Sequence, residues 1–227
     1  MRTLGESPQL ARINGWFSHA LYSHLPLWAH LGLHVPSRIH ASPEDRWRLN
    51  EQRNTSVITS EGRWAYSRSY EMGMSFVSPD ATTTVNGIVI PTITQAETHW
   101  QYYPSTATPL GHRTLDEVRF PSHKAHMWDS HQRDLGRRVL FHSKPNARVP
   151  VLTVDGSVGL RSAAATNLGF NPAIPTSPNP ILFAYAPGAH EPPVQGPYIQ
   201  EIVMGRMRWT RWGLRGRDFN GPEATAP

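Results

Sequence analysis

The sequence predicts an α+β domain in which an N-terminal amphipathic helix packs on an antiparallel sheet with long proline-rich loops. Three observations lead there. An apolar stripe at helical spacing occupies the first thirty residues. Short β-branched runs follow, two of them broken by Asn-Gly or Asp-Gly. The chain carries 21 prolines and 17 glycines with only 17% charged residues, so turns are frequent.

In residues 9–31 the stripe is Leu10, Ile13, Phe17, Leu21 and Leu25, at steps of three and four. Ser7-Pro8 supplies a cap and a first-turn proline, and Pro26 ends or kinks the helix. A second, short helix is expected after Ser42-Pro43-Glu44-Asp45. From Val57 onward the pattern becomes strand-like, through Trp64, Tyr66, 70–76 and 85–93, with Asn86-Gly87 as a hairpin turn. Further strands are expected at 115–120, 125–128, 139–141, 149–154 and 158–160. Asp155-Gly156 joins the last two, and its chemistry suits a type I′ turn with positive φ at both central residues. Residues 172–197 hold eight prolines and read as an extended surface excursion. Residues 198–209 read as a last strand or short helix. One domain over 1–219 with a frayed tail at 220–227 is the economical organisation.

Composition narrows the function classes. With no cysteine there is neither a disulfide framework nor a thiolate metal site. The net charge is +5, and of 22 basic residues only Lys124 and Lys144 are lysine. The arginines are scattered along the chain, which does not favour nucleic-acid binding. No apolar run is long enough to span a membrane, and the first residues do not form a signal peptide.

Catalytic motifs are not visible. Gly-x-Ser-x-Gly is absent, as are a phosphate-binding glycine loop and a paired-carboxylate context. Histidine offers more. His30 and His34 stand four apart, and His123, His126, His131 and His142 lie with Asp129 and Asp134 in one region. Neither spacing matches a standard zinc site, so the second group supplies only weak candidate ligands. Arg206-Met-Arg-Trp209-Thr-Arg-Trp212 interleaves arginine with tryptophan. The expected reading is an amphipathic strand with core tryptophans; a carbohydrate- or nucleic-acid-binding surface is the alternative.

Four segments, in order, resemble bacterial pseudopilin-like proteins of the prepilin-type methylation family with a C-terminal His…Asp-Gly motif. Leu31-Gly32 and Ser37-Arg-Ile-His-Ala-Ser-Pro-Glu-Asp-Arg46 resemble the loop element in which a cysteine is common near Ala41 or Ser42. Arg68-Ser-Tyr-Glu-Met-Gly73 is similar to a Ser-Tyr-x-Met-Asn strand, and Val118-Arg-Phe-Pro-Ser-His-Lys-Ala-His-Met127 to a Val-x-x-Pro-Ser-Lys-Lys strand. His142 with Val151-Leu-Thr-Val-Asp-Gly-Ser-Val158 resembles the signature hairpin, although twelve residues separate His142 from Asp155, a longer interval than is typical. Thr210-Arg-Trp-Gly-Leu-Arg-Gly-Arg-Asp-Phe219 is similar to a tail of some members.

The resemblance implies a type IV pilin- or pseudopilin-like head without its leader and hydrophobic helix. It implies a non-enzymatic structural or adhesive subunit of a type II secretion or pilus-like assembly, outside the cytoplasmic membrane. Its partners would be other pilin-like or secretion-system subunits, and no catalytic residue or resident cofactor is expected, calcium remaining possible but unassigned. His142, Asp155 and Gly156 would be structural. A His-based metal protein or metalloenzyme is the alternative. Because the upstream apolar helix is the family's assembly element, the chain as given is expected to be a monomer or weak dimer.

Overall fold

A computed structural model describes residues 37–53, 67–99, 102–103, 113–133, 139–187, 191 and 201–219. Over these residues the protein is built almost entirely of short antiparallel strands, and this overturns the α+β, pilin-like expectation. The sole α-helix among them, α1 (Arg46–Arg53), is eight residues long. The helix expected over 9–31, on which the α half of that reading rested, lies outside the described residues, as do Trp64 and Tyr66. Elsewhere glycine, proline and β-branched residues keep runs too short for helix, and single 3-10 turns take their place.

The strands in chain order are β1 (Tyr70–Met72), β2 (Thr83–Val85), β3 (Ile88–Ile90), β4 (Thr94–Gln95), β5 (Tyr102–Tyr103) and β6 (Ala125–Asp129). They continue with β7 (His131–Gln132), β8 (Leu140–Phe141), β9 (Arg148–Thr153), β10 (Val158–Ser162), β11 (Leu182–Tyr185) and β12 (Glu201–Met204). One four-stranded sheet runs β1-β6-β9-β10, and the other strands pair two by two. Its register aligns Glu71, Trp128, Val151 and Gly159 in a row across all four strands. The neighbouring row is Met72, Met127, Leu152 and Val158. Since successive side chains alternate faces, the first row points inward and the second outward.

The inner face meets the C-terminal segment: Ala125, Trp128, Val149 and Val151 bury against Met207 and Phe219. A second core joins Phe141, Phe183, Tyr185 and Val203 beneath the β11–β12 ribbon. Full burial of one such aliphatic or phenyl side chain contributes about 1.5–3 kcal/mol. The described part of the proline-rich segment therefore does more than cross the surface, because it delivers Phe183 and Tyr185, each 2% exposed, to that core.

The strand expected over 70–76 stops at Met72, with Met74–Phe76 a 3-10 turn after Gly73, and two further local expectations change with a physical reason. Residues 115–120 form no strand; Leu115–Glu117 is a 3-10 turn started by Thr114, whose N–H donates to the Glu117 carboxylate at 2.9 Å. That Thr-x-x-Glu box is a helix-start signal inside an otherwise strand-like run. At the β9–β10 hairpin only Gly156 has positive φ, at 85°. Gly156 N–H donates to Thr153 and Thr153 N–H to Ser157, at 3.0 and 2.9 Å. The loop is thus a three-residue turn ending in a glycine bulge instead of a type I′ turn. The type I′ geometry appears at Asn86-Gly87, with φ of 51° and 79°.

Candidate functional site

The polar residues converge in the interior. Glu71, at an inward position of β1, receives a bidentate pair from Arg208, Nε to Oε2 at 2.7 Å and Nη2 to Oε1 at 2.8 Å. The guanidinium lies over the Phe183 and Phe141 rings, at 4.6 and 5.5 Å. His142 follows β8 and is fully buried; its Nδ1 is 3.6 Å from Glu71 Oε1 and 3.3 Å from the Ser130 carbonyl. Its ring packs between Trp128 and Phe141.

His131 occupies the next layer. Its Nε2 is 2.8 Å from the Tyr185 hydroxyl and its Nδ1 is 2.9 Å from Ser130 Oγ. Tyr185 stacks on Phe141 and meets His99, which pairs with the buried Glu191 at 2.8 Å. A second network flanks this one: Asp45 binds Arg48 and Arg133, Arg133 binds Asp129, and Ser69 Oγ donates to Asp45 at 2.7 Å.

Electrostatics follow from burial. Burial alone would raise the Glu71 carboxyl, but the Arg208 guanidinium, then His142, outweighs it and holds the group at about 2. Desolvation pushes His142 down to about 3 and His131 to about 4, more than their acidic neighbours restore, so both are neutral imidazoles near neutral pH. Burial raises Tyr185, and Glu191 adds to it. Arg133 falls to about 10 through desolvation and stays charged. The Glu71–Arg208 pair ties β1 to the segment that follows β12.

Of the candidate histidines, His131 and His142 are brought into this one core. His126 instead packs on Phe76 at 4.7 Å, and His123 closes the turn before β6, its carbonyl accepting the Asp218 N–H. Asp129 is spent on Arg133 and on the His131 N–H. His30, His34 and Asp134 lie outside the described residues. Among the described residues no group of three or more His, Asp or Glu is arranged to hold a metal ion. Trp209 is 1% exposed and donates its Nε1 to Gln95, so it presents no ring face for stacking. Trp212 is half-buried in the left-handed region, and Arg208 is wholly buried where the amphipathic reading places its charge at the surface.

Asp155 is exposed at the hairpin tip and accepts from Thr153 Oγ1, Ser157 N and Ser157 Oγ at 2.6, 3.0 and 2.8 Å. Those bonds hold its carboxyl below the usual range. Sequence reasoning did not reach Glu71, Arg208, His99, Glu191 or Tyr185. No local signal marks Glu71: alternation with Tyr70 and Met72 sets the charge opposite the apolar pair, the pattern of an ordinary half-exposed strand, whereas the structure turns Glu71 inward. Comparison with protein-family models, curated proteins and solved structures gives no match to this chain.

Proposed function

We propose that the protein is a non-enzymatic structural subunit of an envelope assembly of the secretion or pilus type, acting outside the cytoplasmic membrane. The proposal takes its assembly class from the ordered motifs that resemble pseudopilin-like proteins, and not from a pilin fold. The observation that carries it is the inward deployment of the polar chemistry. Glu71, Arg208, His142 and His131 close on one another and on aromatic rings, which suits pinning strands. His142 belongs to that core, and Asp155 and Gly156 build the hairpin tip, so the three motif residues serve as scaffold.

Among the described residues, one apolar surface open to a partner lies at a sheet edge. Val158 and Leu160 on the edge strand β10 are 70% and 42% exposed. Because Thr153 and Ser157 close a hydrogen-bonded pair, alternation turns the N–H and C=O of Val158 and Leu160 toward the free edge of the sheet. Such an edge fits a neighbouring subunit that adds a strand.

The test is fractionation of the native cells combined with Val158→Lys/Leu160→Lys, a surface change that leaves both cores intact. The wild-type protein is expected in the envelope fraction with other assembly subunits, and the double variant is expected to fold and be lost from it. A cytosolic wild-type protein, or a double variant still incorporated, would defeat the proposal.

A further inference from the structure

We propose that Lys124 and Asp218 join through a spontaneous isopeptide bond, a covalent cross-link between the start of β6 and the C-terminal segment. The inference does not rest on the function proposed above.

The two side chains are each 1% exposed, with Lys124 Nζ 3.4 Å from Asp218 Oδ2. Among the described residues the other cations with buried side chains, Arg48, Arg68, Arg133, Arg206 and Arg208, are all arginine. A chain that uses lysine twice in 22 basic residues places one of the two here. An ammonium can shed a proton in an apolar site and become a nucleophile, whereas a guanidinium cannot.

The hydrogen bonds are ordered for the reaction. Lys124 Nζ donates to Thr210 Oγ1 and to the Gly213 carbonyl, the latter at 3.1 Å. Thr210 Oγ1 in turn donates to Asp218 Oδ1 at 2.5 Å. Ala125 N–H donates to Oδ2 at 2.9 Å. Burial raises the Asp218 carboxyl, and the attraction of Lys124 does not reverse it, which lowers the cost of passing one proton from the ammonium to the carboxylate to give a neutral amine and acid.

From that neutral pair the Nζ lone pair attacks Asp218 Cγ. The Nζ–Cγ bond forms and the Cγ–Oδ1 bond breaks. One Nζ proton passes through the Thr210 hydroxyl to Oδ1, which already holds the acid proton and leaves as water. Oδ2 remains as the amide oxygen. The Ala125 N–H stabilises the charge that develops on it, as an oxyanion-hole donor does. No oxidant, metal or co-reactant is consumed.

Intact-mass measurement of the folded full-length chain, after prolonged incubation, is the test. The expected mass is one water below that of the sequence, and tandem spectra are expected to show a branched peptide joining residues 124 and 218. Lys124→Arg is expected to return to its full sequence mass, and Thr210→Val to give a mixture of cross-linked and full-mass protein. A full-mass wild type overturns the proposal. So does a water loss that persists in Lys124→Arg, since cyclisation of Asp155 onto Gly156 loses water equally.

Discussion

Acidification is expected to weaken this fold well above the carboxylate range, through His131 and His142. Both imidazoles are neutral in the folded protein, with folded values of about 4 and about 3 against 6.5 when exposed. Between those limits the unfolded chain binds more protons, so stability is full above 6.5 and falls as pH drops toward the folded values. One pKa unit is worth about 1.4 kcal/mol, so at about pH 5 each histidine removes roughly 2 kcal/mol and the pair about 4. That is a large part of the stability of an ordinary domain.

Urea unfolding across this range measures it, with His142→Gln as the comparison. The variant is expected to lose about half of the pH-dependent slope contributed by the pair. The difference between wild type and variant is the quantity to read. His40 and His126, both lowered, add to the slope. These terms are common to both proteins and cancel. A wild-type stability that stays flat from neutral pH to about pH 5, or an identical slope in His142→Gln, would refute the neutral-core argument.

Arg208→Met should cost about 3–5 kcal/mol, because it leaves the Glu71 carboxylate buried and unpaired, and Glu71→Gln on that background should recover part of the loss; chemical unfolding of the three variants reads the cycle. Gly156→Val should cost about 1 kcal/mol or more by forcing a β-branched residue to φ 85°, visible as a lower Tm. Gly169→Ala should be worse than Gly156→Val in the same melting experiment. A Cβ there would sit 2.3 Å from the Gly205 carbonyl oxygen at φ 88°, whereas at Gly156 it meets open space.

What was legible in the sequence is what is encoded locally. The β9–β10 hairpin declares itself through Val149, Val151 and the Asp155-Gly156 turn, and α1 through Ser42-Pro43-Glu44-Asp45, because cap, turn and alternation all lie within a few residues. Even there the turn type was missed, since Thr153, Asp155 and Ser157 draw the hairpin into a bulged loop by side-chain hydrogen bonds that composition does not reveal. The ionic core was illegible for a different reason. Glu71 and Arg208 are 137 positions apart, and each alone looks like an ordinary surface charge. Fold class failed because it leaned on residues 9–31, while the described residues carry the β pattern.

That separation of 137 residues also dictates when the protein can fold during synthesis. The central sheet is complete in sequence once β10 has been made, yet its inner face then holds Glu71 without a counter-charge. Trp128, Val149 and Val151 likewise lack Met207 and Phe219 to cover them. A nascent chain stopped short of Arg208 therefore presents that face, Glu71 included, to solvent. Closing the inner face of the sheet waits for residues 207–219 to emerge from the ribosome.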